Sequence, residues 1–259
     1  MQAAEIVLAA IAPFVVGIVT QDALGREGRM LGTGTLIRFR DRNLVLTARH
    51  VLPYPQPDHV FFLPCPIGGL QISSAFEQAR YHWRQRWNIM AVASDRDLDL
   101  AAMFLADGPP NTAYFNLDGA RAPVPPPGAP VALLGYPIAK AKPILIGDLF
   151  GYAALPDFQC ASPLDSIEIP GIRPFQFAID YPESVVVAPT GYSGAIVWYN
   201  KAGLVTIDDL REGFNPEVYG IVTDHFPSCH ALIGTKAGAI IGFLDQVADQ
   251  ARERLPKVV

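Results

Sequence analysis

Apolar runs of four to seven residues recur along the whole chain, each cut off by Gly, Pro, Asn or Asp. They include Gly34–Arg40, Leu44–Thr47, His59–Leu63, Leu100–Leu105, Val131–Gly135, Ile144–Phe150, Ser184–Val187, Ala195–Tyr199 and Tyr219–Thr223. Runs this short and this punctuated are strands, and their spacing is that of a sandwich or a barrel. With 22 glycines and 24 prolines in 259 residues, long helices have little room, and the chain is expected to be all-β.

Three segments depart from that pattern. Ala122–Pro130 (APVPPPGAP) holds five prolines in nine residues. Proline lacks the ladder donor and fixes φ, so this stretch reads as a connector between an N-terminal lobe (1–121) and a C-terminal lobe (131–259). At the end, Ile240, Phe243, Leu244, Val247, Ala248, Ala251 and Leu255 fall at three- and four-residue steps among charged residues. That spacing predicts an amphipathic closing helix. At the start, Ile6–Val19 imitates the core of a secretory signal. Its only nearby charge is Glu5, no cleavage site precedes Gln21-Asp22, and the run is too short to span a bilayer. The expectation is a short helix or tail ending at Pro13, followed by a buried first strand over Phe14–Thr20.

Half of the residues are apolar and 17% are charged, enough for a core without staples and unlike a disordered chain. Twenty Lys and Arg stand against 25 Asp and Glu, for a net charge of −5. No basic footprint for a nucleic-acid backbone is present, and neither nucleic acid nor membrane is an expected partner. Tyr81, Trp83 and Trp87 interleave with Arg80, Arg84 and Arg86. In a net acidic chain they read as a surface excursion between strands rather than a stacking platform, and His59 and His82 read as surface residues. Cys65, Cys160 and Cys229 are odd in number and far apart, matching neither a disulfide framework nor a zinc site. They predict reduced thiols in a cytoplasmic protein.

Three islands carry chemistry. The first is Gly32-Thr33-Gly34-Thr35-Leu36-Ile37, then a turn with Asp41 and Asn43, then Leu44–Leu52 with Thr47-Ala48-Arg49-His50. A glycine-relieved strand followed by a second apolar strand delivers one imidazole to a barrel mouth. The second is Asp95–Met103, where an acid opens an apolar strand and can fix a histidine tautomer; Asp97 and Asp99 compete for that role. The third is Pro189–Val197, whose Gly191-Tyr192-Ser193-Gly194 permits a tight loop of inward amides beside a hydroxyl.

In the order His50, Asp99, Ser193, these islands resemble the trypsin-like serine proteases of the chymotrypsin fold. Thr47-Ala48-Arg49-His50 is similar to that family's Thr-Ala-Ala-His, Asp99-Leu100-Ala101 to its Asp-(Ile/Leu)-Ala, and Gly191-Tyr192-Ser193-Gly194 to its Gly-Asp-Ser-Gly. Val131–Pro137 resembles the first strand of the family's second barrel, and Tyr219–Thr223 its substrate-pairing strand. The likeness runs from about Phe14 to Leu255. It implies two six-stranded antiparallel barrels with a closing helix, and a serine endopeptidase acting through an acyl-enzyme, with no metal and no cofactor. Ser193 would be nucleophile, His50 general base, Asp99 its orienting acid, and the Gly191 and Ser193 amides the oxyanion hole.

Departures sharpen the comparison. Val51 replaces the cysteine that secreted members place after the histidine. Tyr192 replaces the aspartate that pairs with a newly cut N-terminal amine, which implies no zymogen activation by that route. Ala195 replaces the family's second glycine. In lacking that aspartate the chain resembles the bacterial high-temperature-requirement branch, and its 259 residues are expected to leave no room for that branch's C-terminal peptide-binding module. Val187 stands at the expected pocket floor, and Thr223, Asp224 and His225 follow the pairing strand; these four are the candidate substrate-binding residues. Val187 argues against a simple preference for Lys or Arg, while Asp224 keeps a basic side chain in play. The expected partners are a protein or peptide substrate and an activating protein. Two alternatives stay open: a silent, protease-shaped binding module, and an α/β-hydrolase elbow at Gly191-x-Ser193-x-Ala195 followed by Asp224 and His225 or His230.

Overall fold

The computed structural model describes residues 3–21, 28–52, 60–64, 87–106, 112–119, 122, 124–125, 129–146, 149–154, 156–164, 169, 171–181, 188–201 and 213–254. A helix α1 (Ala3–Ile11) and a 3₁₀ turn over Ala12–Phe14 lead into the first sheet. That sheet contains β1 (Val15–Gln21), β2 (Gly28–Phe39), β3 (Arg42–Ala48), β4 (Val60–Pro64), β5 (Ile89–Asp95), β6 (Leu100–Leu105) and β7 (Phe115–Asn116). Its order is β4-β1-β2-β3-β6-β5, antiparallel throughout, with β7 lying parallel to β2.

The second lobe comprises β8 (Val131–Gly135), β9 (Ala141–Ile146), β10 (Leu149–Ala154), β11 (Asp157–Ala161), β12 (Gln176–Asp180), β13 (Ile196–Asn200), β14 (Pro216–Phe226) and β15 (Ala231–Lys236). Six of these form a sheet ordered β11-β8-β13-β14-β15-β12, and β9 pairs with β10 as a separate hairpin. The closing helix α2 spans Ala237–Arg254. The architecture is all-β, a chymotrypsin-like double barrel with a C-terminal helix.

The central strands are apolar without alternation because each has a core on both faces. In β3, Leu44 and Leu46 enter one cluster while Val45 enters another; in β13, Ile196 and Trp198 part from Val197 and Tyr199 in the same way. Two of the clusters are private, one to each lobe. The third is shared: Leu44, Leu46, Leu100 and Phe104 of the first lobe meet Leu134, Tyr136, Ile196 and Trp198 of the second, under α1 and α2. Trp198 is fully buried, and Phe115 of β7 stands edge-on to it at 5.0 Å.

The hairpin β2–β3 closes with Arg40 and Asp41 at φ of 46° and 60°, as a two-residue turn with both centres in the left-handed region requires. Arg40 then reaches α2, pairing with Asp245 at 2.6 Å and Asp249 at 2.8 Å. In the proline-rich stretch Val124 is 89% exposed. No helix among the described residues is long and apolar enough to cross a membrane.

Two sequence expectations are corrected. Ile144–Phe150 is not one strand: Ile146 pairs with Leu149, so the chain doubles back between them. Trp87 is not on a surface excursion; it is 7% exposed and packs edge-on against Phe62 at 5.3 Å in the first lobe's private core. Ser184–Val187, Tyr81, Trp83, Arg80, Arg84, Arg86, His59, His82 and Cys65 lie outside the described residues, whereas Cys160 and Cys229 carry free thiols.

Because α2 closes the shared core, Phe243→Ala is expected to lower the unfolding free energy by about 3–5 kcal/mol. Asp249→Asn, on the exposed face, costs less than about 1 kcal/mol. Urea denaturation measures both, and a small loss at Phe243 would show that the helix does not stabilise the body.

Candidate active site

β3 ends at Ala48, and a single 3₁₀ turn over Arg49–Val51 projects His50, with its side chain half exposed. Opposite it, the turn between β5 and β6 is built by Asp95, whose carboxylate accepts the amides of Asp97 (2.8 Å) and Leu98 (2.9 Å). Asp99 closes that turn with φ of +50°, a conformation aspartate tolerates better than most residues. Its backbone carbonyl accepts the Arg49 amide at 2.9 Å. Its carboxylate accepts the His50 amide at 3.1 Å and the Nδ1–H of the imidazole at 2.7 Å. The geometry therefore gives Asp99, not Asp97, to His50. The second lobe steadies the same turn: Thr235 Oγ1 donates to Leu98 O at 2.9 Å, and the Arg173 guanidinium to Asp97 O at 3.0 Å.

Ser193 sits in a loop whose carbonyls are all tied down. Those of Pro189, Thr190, Gly191, Tyr192 and Ser193 accept from Tyr192 N, Ile138 N, Thr33 Oγ1, Ala195 N and Thr33 N, at 2.8–3.0 Å. Among the described residues, the amides of Gly191 and Ser193 have no acceptor. Gly191 has φ of +106°, and a Cβ there would come within 2.4 Å of Tyr136 O. Gly194 has φ of +88°, and a Cβ there would meet Thr33 O at 1.9 Å. The serine loop runs directly into strand β13, so the strand-to-helix turn of an α/β-hydrolase elbow is absent at this position.

A further link between the lobes is Thr33, which no sequence motif marks as functional. Thr33 is fully buried. Its amide donates to Ser193 O and its hydroxyl to Gly191 O, while the same hydroxyl accepts the Tyr136 amide at 2.8 Å. Its own carbonyl accepts Thr47 Oγ1 at 2.7 Å. A polar residue between two glycines was the available signal: glycine on each side lets another backbone approach.

His50, Asp99 and Ser193 line one cleft of about 600 Å³, together with Thr190, Thr223, Asp224 and His225. No hydrogen bond joins Ser193 Oγ to His50 among the described residues. Thr223 is buried, Asp224 is exposed, and His225 stacks edge-on to Tyr181 at 6.1 Å. Val187 lies outside the described residues. Pairing of β14 with β13 ends where Val222 N donates to Ala195 O and Val222 O accepts Gly194 N, so Thr223–Phe226 continue beyond β13 beside the cleft. The hydrogen bond to Asp99 raises the His50 pKa above the ordinary 6.5 against the opposing effect of burial, and the charges of Asp99 and Asp224 add to the rise. Burial lowers the pKa of His225. Among the described residues, no group of three His, Cys, Asp or Glu side chains could hold a metal ion.

No protein-family model matches the chain, and no curated protein matches it in sequence. Solved structures share its fold. The active form of the Rv3671c protease from M. tuberculosis aligns at 20% identity over 92% of this chain and 82% of that one, with a TM-score of 0.52. A mutant of human heparin binding protein aligns at 13% identity over 94% and 93%, also with a TM-score of 0.52. At these identities the likeness establishes the chymotrypsin-like fold.

Thr33→Val orphans the Gly191 carbonyl and the Tyr136 amide and is expected to cost about 1–3 kcal/mol for each. Thr35→Val removes a buried hydroxyl that has no partner among the described residues, and leaves stability unchanged or higher. Urea denaturation of the two variants makes the comparison; equal losses would refute the role given to Thr33.

Proposed function

We propose that this chain is a serine endopeptidase. One observation carries the reading: a single cleft joins an Asp99-anchored imidazole and a serine hydroxyl, and among the described residues the Gly191 and Ser193 amides flanking Tyr192 have no acceptor. In the proposed reaction Ser193 Oγ attacks the scissile carbonyl while His50 Nε2 takes its proton. Asp99 holds the other ring nitrogen and stabilises the imidazolium. The Gly191 and Ser193 amides receive the developing oxyanion. His50 then returns the proton to the leaving amine, and a water repeats the sequence on the acyl-enzyme.

The substrate is a peptide held in extended form. Thr223–Phe226 offer strand backbone beside the nucleophile, and pairing along a strand edge is a general way to bind an extended chain. Thr223, Asp224 and His225 would contact its side chains, with Val187 as a further candidate. The free thiols of Cys160 and Cys229 suit a reducing compartment, in keeping with a cytoplasmic enzyme.

A second reading is favoured by the absence, among the described residues, of a Ser193–His50 hydrogen bond: a protease-shaped module that binds without cutting, or an enzyme completed by a protein partner. Catalytic hydrogen bonds often tighten only when substrate binds, so the first reading is preferred. The name of one fold neighbour speaks of heparin, a polyanion, which a chain of net charge −5 is poorly suited to bind.

Fluorophosphonate labelling followed by intact mass separates these readings. The expected result is one adduct on the wild type and none on Ser193→Ala or His50→Ala; an unlabelled wild type would sink the unaided peptidase. The pH dependence of labelling gives a further test. His50 must be neutral to act as base, so the rate rises with pH along a limb set above the ordinary histidine value. Asp224→Asn removes one of the charges that raise it and moves the limb to lower pH. Asp99→Asn cuts the rate by roughly four orders of magnitude. A limb unmoved by Asp224→Asn would show that this carboxylate does not act on His50.

A further inference from the structure

Tyr192 lies between the two amides assigned to the oxyanion, yet its side chain points away into the body of the second lobe. It is fully buried, its ring lies edge-on to Tyr181 at 6.1 Å, and a Cβ on Gly135 would come within 2.6 Å of it. The Tyr192 hydroxyl donates to Asp157 Oδ2. Asp157 opens β11 directly opposite Gly135, and it is almost fully buried. Its other oxygen accepts the Lys140 ammonium, and Gln159 Nε2 adds a third donor at 2.5 Å.

Lys140 closes a ring. It belongs to the 3₁₀ turn Ile138–Lys140, and Ile138 at the head of that turn donates its amide to Thr190 O at 2.8 Å. The serine loop is thus tied to one turn twice, once through backbone and once through Tyr192, Asp157 and Lys140. A buried carboxylate is stable only if paired and fully hydrogen-bonded, and here three donors satisfy it. Burial works against the Asp157 carboxylate, but the bonds from Lys140, Tyr192 and Gln159 outweigh it and hold its pKa below the ordinary range. Burial, then Asp157, push the Tyr192 phenol upward, so it remains the donor.

We propose that Tyr192, Asp157 and Lys140 are positioning residues that set the Gly191 and Ser193 amides for oxyanion binding within an uncut chain. The cation at the end of the relay is a lysine side chain, so no newly generated N-terminal amine is required. The proposal rests on the reading of Ser193 as the nucleophile.

The test uses the full chain and a fluorophosphonate probe, with saturation kinetics that separate the maximal labelling rate from the half-saturating concentration. Tyr192→Phe keeps the ring and loses the hydroxyl; Lys140→Met removes the cation; Lys140→Arg restores it. Thermal melts establish that each variant is folded. The expected result is a maximal rate at least tenfold lower for Tyr192→Phe and Lys140→Met, half-saturation within threefold of wild type, and recovery in Lys140→Arg. A chain carrying a folded fusion on its N-terminus should label at the wild-type rate. If Tyr192→Phe does not fold, the Lys140 pair decides alone, since that ammonium is one-third exposed. Folded variants that label like the wild type, or a fusion that does not label, overturn the relay while leaving the nucleophile intact. A wild type that never labels overturns the reading of the site, and the relay with it.

Discussion

Every polar group of Thr33 is engaged at the junction of the lobes, and the cleft depends on that junction. Each lobe has its own core, and a third core is shared between them. Apolar contact alone sets no register, because it is non-directional. Hydrogen bonds do, since they weaken steeply with angle and distance. Thr33 N–H to Ser193 O and Thr33 Oγ1 to Gly191 O fix the serine loop against the strand that leads, through the β2–β3 hairpin, to His50. The close approach is possible because Gly194 faces Thr33 O without a side chain and because Gly32 leaves room for Ser193 O and Val51.

The His50–Asp99 pair is fixed from both lobes. Asp99 adopts a left-handed backbone, a conformation that costs free energy and persists only where its surroundings over-determine it. Here they do: Asp95 caps the turn from within, Arg49 N–H binds the Asp99 carbonyl, and Thr235 and Arg173 reach across to the carbonyls of Leu98 and Asp97. The reward is a carboxylate that accepts both the backbone amide and the ring N–H of His50, which fixes the imidazole's tautomer and its orientation together.

Legibility in the sequence followed the range of the interaction. The apolar runs of β3, β6, β8 and β13, the period of α2 and the glycines around Ser193 are local signals, and the structure places strands, helix and loop there. The competition between Asp97 and Asp99 could not be decided from residue types, since both flank the same apolar strand; the αL turn at Asp99 decides it. Thr33 was hidden because its partners are 103 and 158 residues away. No motif marks Asp157, and only the fold brings Lys140 and Tyr192 to it. Trp87 sits at the end of an arginine- and aromatic-rich stretch whose composition resembles surface, yet Phe62 from a distant strand covers it.

The serine loop shows how a fold can hold free donors at a fixed place. Isolated, a loop of glycines would turn its amides toward any nearby carbonyl, because an unmet buried N–H costs about 1–3 kcal/mol. Five consecutive carbonyls, from Pro189 to Ser193, are already bound to other donors. Those bonds fix where the carbonyls point, and the buried Tyr192 side chain resists rotation of the segment. Rotating the loop would break its bonds to Thr33, Ile138 or Asp157. In the proposed reaction, donors held this way need no reorganisation, because the cost of placing them is met in folding.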